Sequence, residues 1–524
     1  MMADSREIGK LKMQPERTSS PVGFRMTVLL LATALWLLPV AAATPVAAQP
    51  RATEGDHPDI RLFFLALDQD RDKAAEALDQ IAEQWRDGYA GMLWDLIRFY
   101  PPPRDPAPAF STDPTDPTNQ TRELEPPPVE SPGTRVWRDL MGFLEDQTGQ
   151  RFRGSLVRAH QWIWAQPYDP HPDYPFFKGV WYREIDPAFA DFFPPGTETL
   201  IRLDEIDWGG VPVNGIPPLE YSEYVGANDD AADYLDDDDI VFGIAAGGEM
   251  RAYPKRILAW HEMALDQVGG IELTIVYCTL CGTVIPYESV VDGRHIKFGT
   301  SGLLYRSNKL MFDHGTKSLW NTFEGVPVVG ALVGSGLRLT HRAVVTTTWG
   351  EWRRMHPGTT VLTLATGHER DYGEGVAYRD YFSTDALMFP VPDLDDHPDG
   401  ELDNKDEVLT LLLEDAAGQR QPLAISTEFL EDNRLHPEQH AGRRLLVVTT
   451  GEGANRVFDP GDSNFVRLEG DLVVVDADGG RWQVTEDALV HADNPSRRLP
   501  RVAAQRAFWF GWRAQFPETR LVRD

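Results

Sequence analysis

Two cysteines, Cys278 and Cys281, stand two residues apart in "IVYCTLCGTVIPYE" (275–288), and they are the whole thiol content of a 524-residue chain. A C-x-x-C pair can cycle between dithiol and disulfide, or offer two thiolates to a soft metal ion. Thioredoxin-type sites set such a pair at a helix N-terminus, where the helix dipole favours the thiolate. Here strand-like "ELTIVY" enters the motif, strand-like "TVIPYE" leaves it, and Gly282 lies at the turn, so a thioredoxin fold is disfavoured. The arrangement is closer to half of a metal knuckle. Structural zinc needs two more ligands. In this chain they would have to be histidines or carboxylates. Copper(I), which suits soft sulfur donors, is a better fit than zinc for two thiolates and one histidine. His261 is the first candidate, on the helical pattern "PKRILAWHEMALDQVGG" that leads into the cysteine strand; His314 and His295 are weaker ones. Glu262 is placed to orient that histidine or to act as a base. The competing account is a short structural disulfide, which encloses little chain and so contributes little loop entropy.

These residues sit in a chain whose texture changes along its length. Residues 56–100 carry apolar positions at three- and four-residue spacing and read as helix. Residues 101–134 form a linker: eleven prolines fall within 101–133, which no helix or central strand tolerates. Helical patterning resumes over 135–195, and its tryptophans read as core. From about residue 196 short β-rich runs are separated by Gly, Asp-Gly and Pro, with hairpin signals at Asp292-Gly293 and Asp478-Gly479.

The β-rich part repeats itself. "TTWGEWRRMHPGTTVL" (347–362) matches "AFWFGWRAQFPETRLV" (507–522); "KLMFDHGTKSLW" matches "DLVVVDADGGRW", aligning Trp320 with Trp482; and "LTIVYCTLCGTVIPY" faces "LLVVTTGEGANRVFD", aligning Val276 with Val448. The fold class expected is α+β: a helical N-terminal region, then two related β-rich units, each closing with a W-x-x-W helix. Unit one covers 196–366, a connector 367–403, and a degenerate unit two 404–524. The offset falls from 172 to 162 between Val276/Val448 and Trp320/Trp482, so unit two lacks ten residues near "FGTSGLLYRS" (298–307), and it has "TTGEGAN" in place of "YCTLCGT". Cysteines and Gly/Ser segment are missing together while strands and helix survive. That pattern marks a site in unit one.

Composition bounds the partners. The net charge is −31, which repels phosphate backbones and excludes nucleic-acid binding. Residues 1–48 read as a signal peptide: a basic stretch to Arg25, an apolar run from Met26 to about Leu38, then small residues suited to cleavage. The mature chain is therefore expected to be exported, periplasmic or extracellular, with no transmembrane span, and membrane-anchored only if the signal is retained. The helical N-terminal region is the candidate surface for a protein partner.

"RAYP" (251–254), "HE" (261–262), "YCTLCGT" (277–283), "FGTSGLLY" (298–305), "MFDHGTKSLW" (311–320) and "TTWGEWRRMHP" (347–357) together resemble the domain-of-unknown-function 3179 family over roughly residues 196–524. That resemblance assigns no reaction. It implies redox or soft-metal chemistry at the cysteine motif, since some similar proteins carry selenocysteine there. Relatives show Y-C-P-L-C-G, whereas this chain has Thr279 in place of the proline. Within these motifs Arg251, Ser301 and Tyr305 are candidates to line a cofactor pocket, and each is equally explicable as packing. The expected function is an exported thiol- or copper-dependent oxidoreductase using Cys278, Cys281 and Glu262. The alternative is a non-catalytic metal-binding or scaffold protein with a structural disulfide.

Overall fold

In the computed structural model, residues 57–100, 102, 131–392 and 402–524 are described; the expected signal peptide and nearly all of the Pro-rich linker lie outside them. Two units are distinguished, divided after Gln84. The first holds helices α1 (Ile60–Leu65) and α2 (Arg71–Glu83), each started by an aspartate, Asp59 or Asp70, whose carboxylate accepts an N–H of the first turn.

The second unit begins with α3 (Ala90–Ile97), α4 (Pro132–Thr148), α5 (Leu156–Ala165) and α6 (Tyr174–Tyr182). Their aromatic residues form core, as their spacing predicts: His160 packs between the rings of Trp94 and Trp164. A buried ion pair, Lys178 with Asp95, is closed by the hydroxyls of Tyr174 and Tyr182. No helix among the described residues is long and apolar enough to cross a membrane.

The rest is predominantly strand, giving a mixed α+β architecture. Its first half contains β1 (Ile240–Ala246), β2 (Glu249–Pro254), helix α7 (Lys255–His261), β3 (Met263–Val268), β4 (Ile271–Cys278), β5 (Thr283–Glu288), β6 (Phe298–Tyr305), β7 (Asn308–Asp313), β8 (Leu319–Asn321), β9 (Val344–Thr348), α8 (Trp349–Met355) and β10 (Thr360–Leu362). A short helix, α9 (Arg379–Phe382), follows. The second half contains β11 (Glu407–Glu414), β12 (Arg420–Ser426), α10 (Thr427–Asp432), β13 (Leu435–His440), β14 (Arg443–Thr449), β15 (Asn455–Phe458), β16 (Phe465–Glu469), β17 (Val473–Asp476), β18 (Arg481–Val484), β19 (Ala488–His491), β20 (Arg498–Val502), β21 (Gln505–Phe508), α11 (Trp509–Gln515) and β22 (Arg520–Val522).

The two halves share connectivity. Strands run in the order β9-β1-β2-β10 in one sheet and β21-β11-β12-β22 in another, and the last pair of each, β2 with β10 and β12 with β22, is parallel. In both, a short helix after the second strand leads into an antiparallel meander, β3-β4-β5 or β13-β14-β15, with Met263 opposite Val276 and Leu435 opposite Val448. Indole hydrogen bonds match as well. Trp352 Nε1 donates to Thr359 Oγ1 (2.9 Å) and Trp512 Nε1 to Thr519 Oγ1 (2.8 Å); Trp320 Nε1 donates to Asp313 Oδ2 (3.2 Å) and Trp482 Nε1 to Asp476 Oδ2 (2.8 Å). The halves differ in closure. In the second, one eight-stranded sheet runs β13-β14-β15-β20-β19-β18-β17-β16 and curls until its edge strands β13 and β16 approach, a nearly closed barrel. In the first, the meander and the β6-β7-β8 strands belong to separate sheets.

The largest apolar cluster contains Val276, Cys278, Cys281 and Trp320 from the first half with Phe508, Trp509 and Trp512 from the second. Both cysteines thus lie where the two halves bury their apolar faces against each other.

A buried dithiol beside an ion pair

β4 and β5 pair from Leu273/Glu288 to Cys278/Thr283, so the chain reverses within residues 279–282. Gly282 adopts φ +60°, and a Cβ there would stand 2.9 Å from the Phe508 ring. Only glycine makes this turn against that ring. The hairpin presents both sulfurs to one side, as strand–turn–strand patterning predicts. Both thiols are free in this structure.

Cys278 is 2 % exposed and Cys281 is 0 % exposed. The thiols hydrogen-bond to each other, and Cys278 also accepts from the backbone N–H groups of Lys309 and Cys281. Burial alone would raise the Cys278 pKa, but these three donors bring it below the ordinary thiol value. Cys281 moves the other way: burial, then its bond with Cys278, pushes it well above that value. Its Sγ faces the Ser307 carbonyl at 3.5 Å and accepts from Asn308 Nδ2 at 3.4 Å. The pair is therefore polarised, with Cys278 the better thiolate.

The end of the 298–307 segment reaches the thiols through a tight turn. Tyr305 pairs with Asn308, and the two residues between them, Arg306 and Ser307, have φ of 49° and 62°. Non-glycine residues in this region cost of order 1 kcal/mol each or more. Arg306 is held there by Glu205 and by the Ala514 carbonyl.

Glu262 ends α7 in a left-handed conformation, φ 54°. Its carbonyl accepts Tyr277 N–H (2.8 Å), its Oε1 accepts the Thr279 hydroxyl (2.8 Å) and its Oε2 pairs with Lys309 Nζ (2.8 Å). The side chains of Lys309 and Glu262 are 5 % and 13 % exposed, so this is a largely buried ion pair gripping the cysteine hairpin. Over the hairpin lies α9. Tyr381 donates its hydroxyl to the Leu280 carbonyl (2.7 Å), and Tyr378 bonds with Thr279 and Glu262.

His261 does not join the thiols. Its Nδ1 donates to the Pro217 carbonyl (2.9 Å) and its Nε2 accepts from the Tyr372 hydroxyl (2.6 Å), so both ring nitrogens are engaged. Among the described residues no three His, Cys, Asp or Glu side chains converge as a metal-ligand group. The expected Cys278–Cys281–His261 copper set is corrected accordingly, and a four-ligand zinc site is likewise not assembled from these residues. His314 packs at a tilt against Phe312 and His295 is exposed.

The three pocket candidates also have other work. Arg251 is bound to Asp266 (2.7 Å) and Thr360 (3.2 Å) over the Tyr224 ring. Ser301 Oγ donates to the Leu310 carbonyl (2.5 Å) inside a strand irregularity. Tyr305 hydrogen-bonds with Glu205. None is gathered at the thiols as a cofactor contact. Lys309, Asn308 and Ser307 are instead the residues that touch the sulfurs or their carboxylate neighbour, and sequence reading did not single them out.

The neutral state of His261 has a measurable consequence. Burial, offset in part by the bond to Pro217 and reinforced by His368 and Arg370, lowers its pKa to about 4. Burial likewise lowers His160 and His341 to about 4. In the unfolded chain these rings take protons near pH ~6.5. Stability is thus fully present above that pH and is lost as pH falls from 6.5 towards 4. Each ring contributes up to about 1.4 kcal/mol per pH unit within the window. Urea midpoints should drop between pH 6.5 and 5; equal midpoints would contradict three buried neutral histidines.

The model of a family described as protein of unknown function (DUF3179) matches residues 213–519. No curated protein and no solved structure matches the chain.

Proposed function

The chain belongs to the DUF3179 family, and since that membership fixes a sequence class and no activity, we propose its function from the site: an exported protein whose Cys278 and Cys281 cycle between dithiol and disulfide. The observation that carries this reading is the polarised pair of free, mutually hydrogen-bonded thiols. A thiol with lowered pKa and a neighbour held protonated is the division of labour that exchange requires. Cys278 thiolate attacks one sulfur of a disulfide substrate and releases the other as thiolate. Cys281 then attacks Cys278 of the mixed disulfide, releasing the second substrate sulfur. The substrate gains two electrons and two protons, and the pair is left as a disulfide. Because α9 covers the hairpin, access requires Tyr378 and Tyr381 to withdraw, and Thr279 and Glu262 then become available to a substrate.

A metal-binding role is the second reading, and here it rests on two thiolates alone. Copper(I) accepts such a donor set more readily than zinc does. The polarisation of the pair favours exchange, since two metal thiolates would be served equally by the surrounding donors.

In this reading the two halves arose by internal duplication. Shared connectivity and the paired indole bonds support it. By strand register, Thr450 occupies the place of Cys278 and Gly453 that of Gly282, and the intervening turn is one residue shorter and holds no cysteine, so the second copy keeps the fold without the chemistry. The acidic chain is no nucleic-acid partner, and its N-terminal helices are the surface offered to another protein.

The test is equilibration of purified protein in graded glutathione buffers, followed by acid quench, thiol alkylation and intact-mass analysis. The pair should pass from two alkylated thiols to none in a single transition. A native protein whose thiols stay reduced while the urea-unfolded chain oxidises would overturn the proposal.

A further inference from the structure

A second cluster lies in the other half, where the barrel faces the end of α8. Strand register places Arg456 opposite Val448, the position held in the first half by Ile285 opposite Val276. An apolar core position has thus become a fully buried arginine, 0 % exposed. Arg456 Nε and Nη2 donate to Glu486 Oε1 at 2.9 and 2.7 Å, and His356 Nε2 lies 3.1 Å from the same oxygen. Arg501 stands beside them over the Phe458 ring, with its Nη1 3.6 Å from Glu486 Oε2, too far for a hydrogen bond. The side chains of Arg501 and Glu486 are 5 % and 4 % exposed.

The cluster is not balanced. Two guanidiniums face one buried carboxylate, with Asp487 acting on Arg501 only from an exposed position, and guanidiniums do not shed their proton in proteins. Arg456 Nη1, Arg501 Nε and Arg501 Nη1 are all buried and have no hydrogen-bond partner. Unsatisfied buried donors on charged groups are costly, and native structures resolve them with water or an ion. The imbalance shows in titration too. Burial pushes Arg501 down to about 9, more than Glu486 and Asp487 restore, and Arg456 adds to the fall.

We infer that the space between Arg456 and Arg501 binds a small monovalent anion of the halide class, which supplies the missing negative charge and accepts from the three orphaned nitrogens. The inference is independent of the dithiol. It gives the second half a site of its own where the first half has packed side chains.

The test uses the full mature chain. Thermal or urea unfolding is followed in sodium chloride against sodium gluconate at equal ionic strength, and bromide-soaked crystals are measured at the bromine edge. Chloride should stabilise where gluconate does not; above saturation of one site each tenfold rise in chloride should multiply the folding equilibrium constant by up to about ten. An anomalous peak should lie between Arg456 and Arg501. Arg501→Gln should abolish the chloride dependence, and if that variant does not fold, the bromide peak in the wild-type chain decides. Equal stability in the two salts with no bromide peak would mean water alone fills the gap, and the inference would fall.

Discussion

Replacing both Cys278 and Cys281 by serine is expected to reduce dithiothreitol-driven turnover of a small aromatic disulfide to the uncatalysed rate while leaving a folded protein. The hairpin closes without thiols in the second half, where Thr450 stands at the place of Cys278 and a turn one residue shorter ends on Gly453. A cost in stability remains. Both sulfurs lie in the main apolar cluster, and each buried hydroxyl that lacks a matched partner costs about 1–3 kcal/mol. That figure replaces the small loss expected of a short disulfide loop, because the thiols are free. Cys281→Ser alone is the more informative variant. Cys278 should still attack, and the mixed disulfide should then accumulate, visible as an adduct by intact mass. Full turnover by the folded double variant would sink the exchange reaction, and a Cys278→Ser variant that traps substrate as readily would reverse the assigned roles.

What the sequence made legible here was local. Strand, turn and strand around Cys278 and Cys281 follow from β-rich runs on either side of Gly282, and the W-x-x-W helices from their spacing. Side-chain direction at a helix end was not legible. His261 and Glu262 are adjacent, yet α7 stops between them, and the left-handed turn at Glu262 sends its carboxylate to the cysteine hairpin while the imidazole goes to Pro217 and Tyr372. The sequence points to His261 as a ligand because its helix leads into the cysteine strand, and that continuity does not fix which way the imidazole faces. Lys309 gives no signal in the largely apolar strand "NKLMFD", with its partner 47 residues away. The Arg306-Ser307 turn escaped for lack of glycine. In the second half Gly470 holds the corresponding place at φ 62°, so comparison of the copies carried that signal.

The same comparison sets up a contrast within one molecule. Glu262 precedes the first paired residue of β3, and Arg434 holds that position before β13. Arg434 pairs with Asp471, one residue before the register place of Lys309, so a pair of reversed charge sits close by, but the Arg434 and Asp471 side chains are 37 % and 50 % exposed. Water screens the second pair and not the first. Lys309→Met should therefore cost about 3–5 kcal/mol, because it strands a carboxylate among apolar neighbours and the Thr279 hydroxyl alone cannot replace an ammonium. Arg434→Met should cost less than about 1 kcal/mol, the range of exposed pairs. Adding Glu262→Gln to Lys309→Met should recover most of the loss, since the amide can still accept from Thr279 and no unpaired charge remains. Urea unfolding of the wild type, Glu262→Gln, Lys309→Met and the double variant closes the cycle, and the coupling between Glu262 and Lys309 is read directly from it. Similar small losses for Lys309→Met and Arg434→Met would mean that the Glu262–Lys309 pair is solvated in solution, and the hairpin it grips would then have to be held by α9 and by the packing of Phe508 on Gly282.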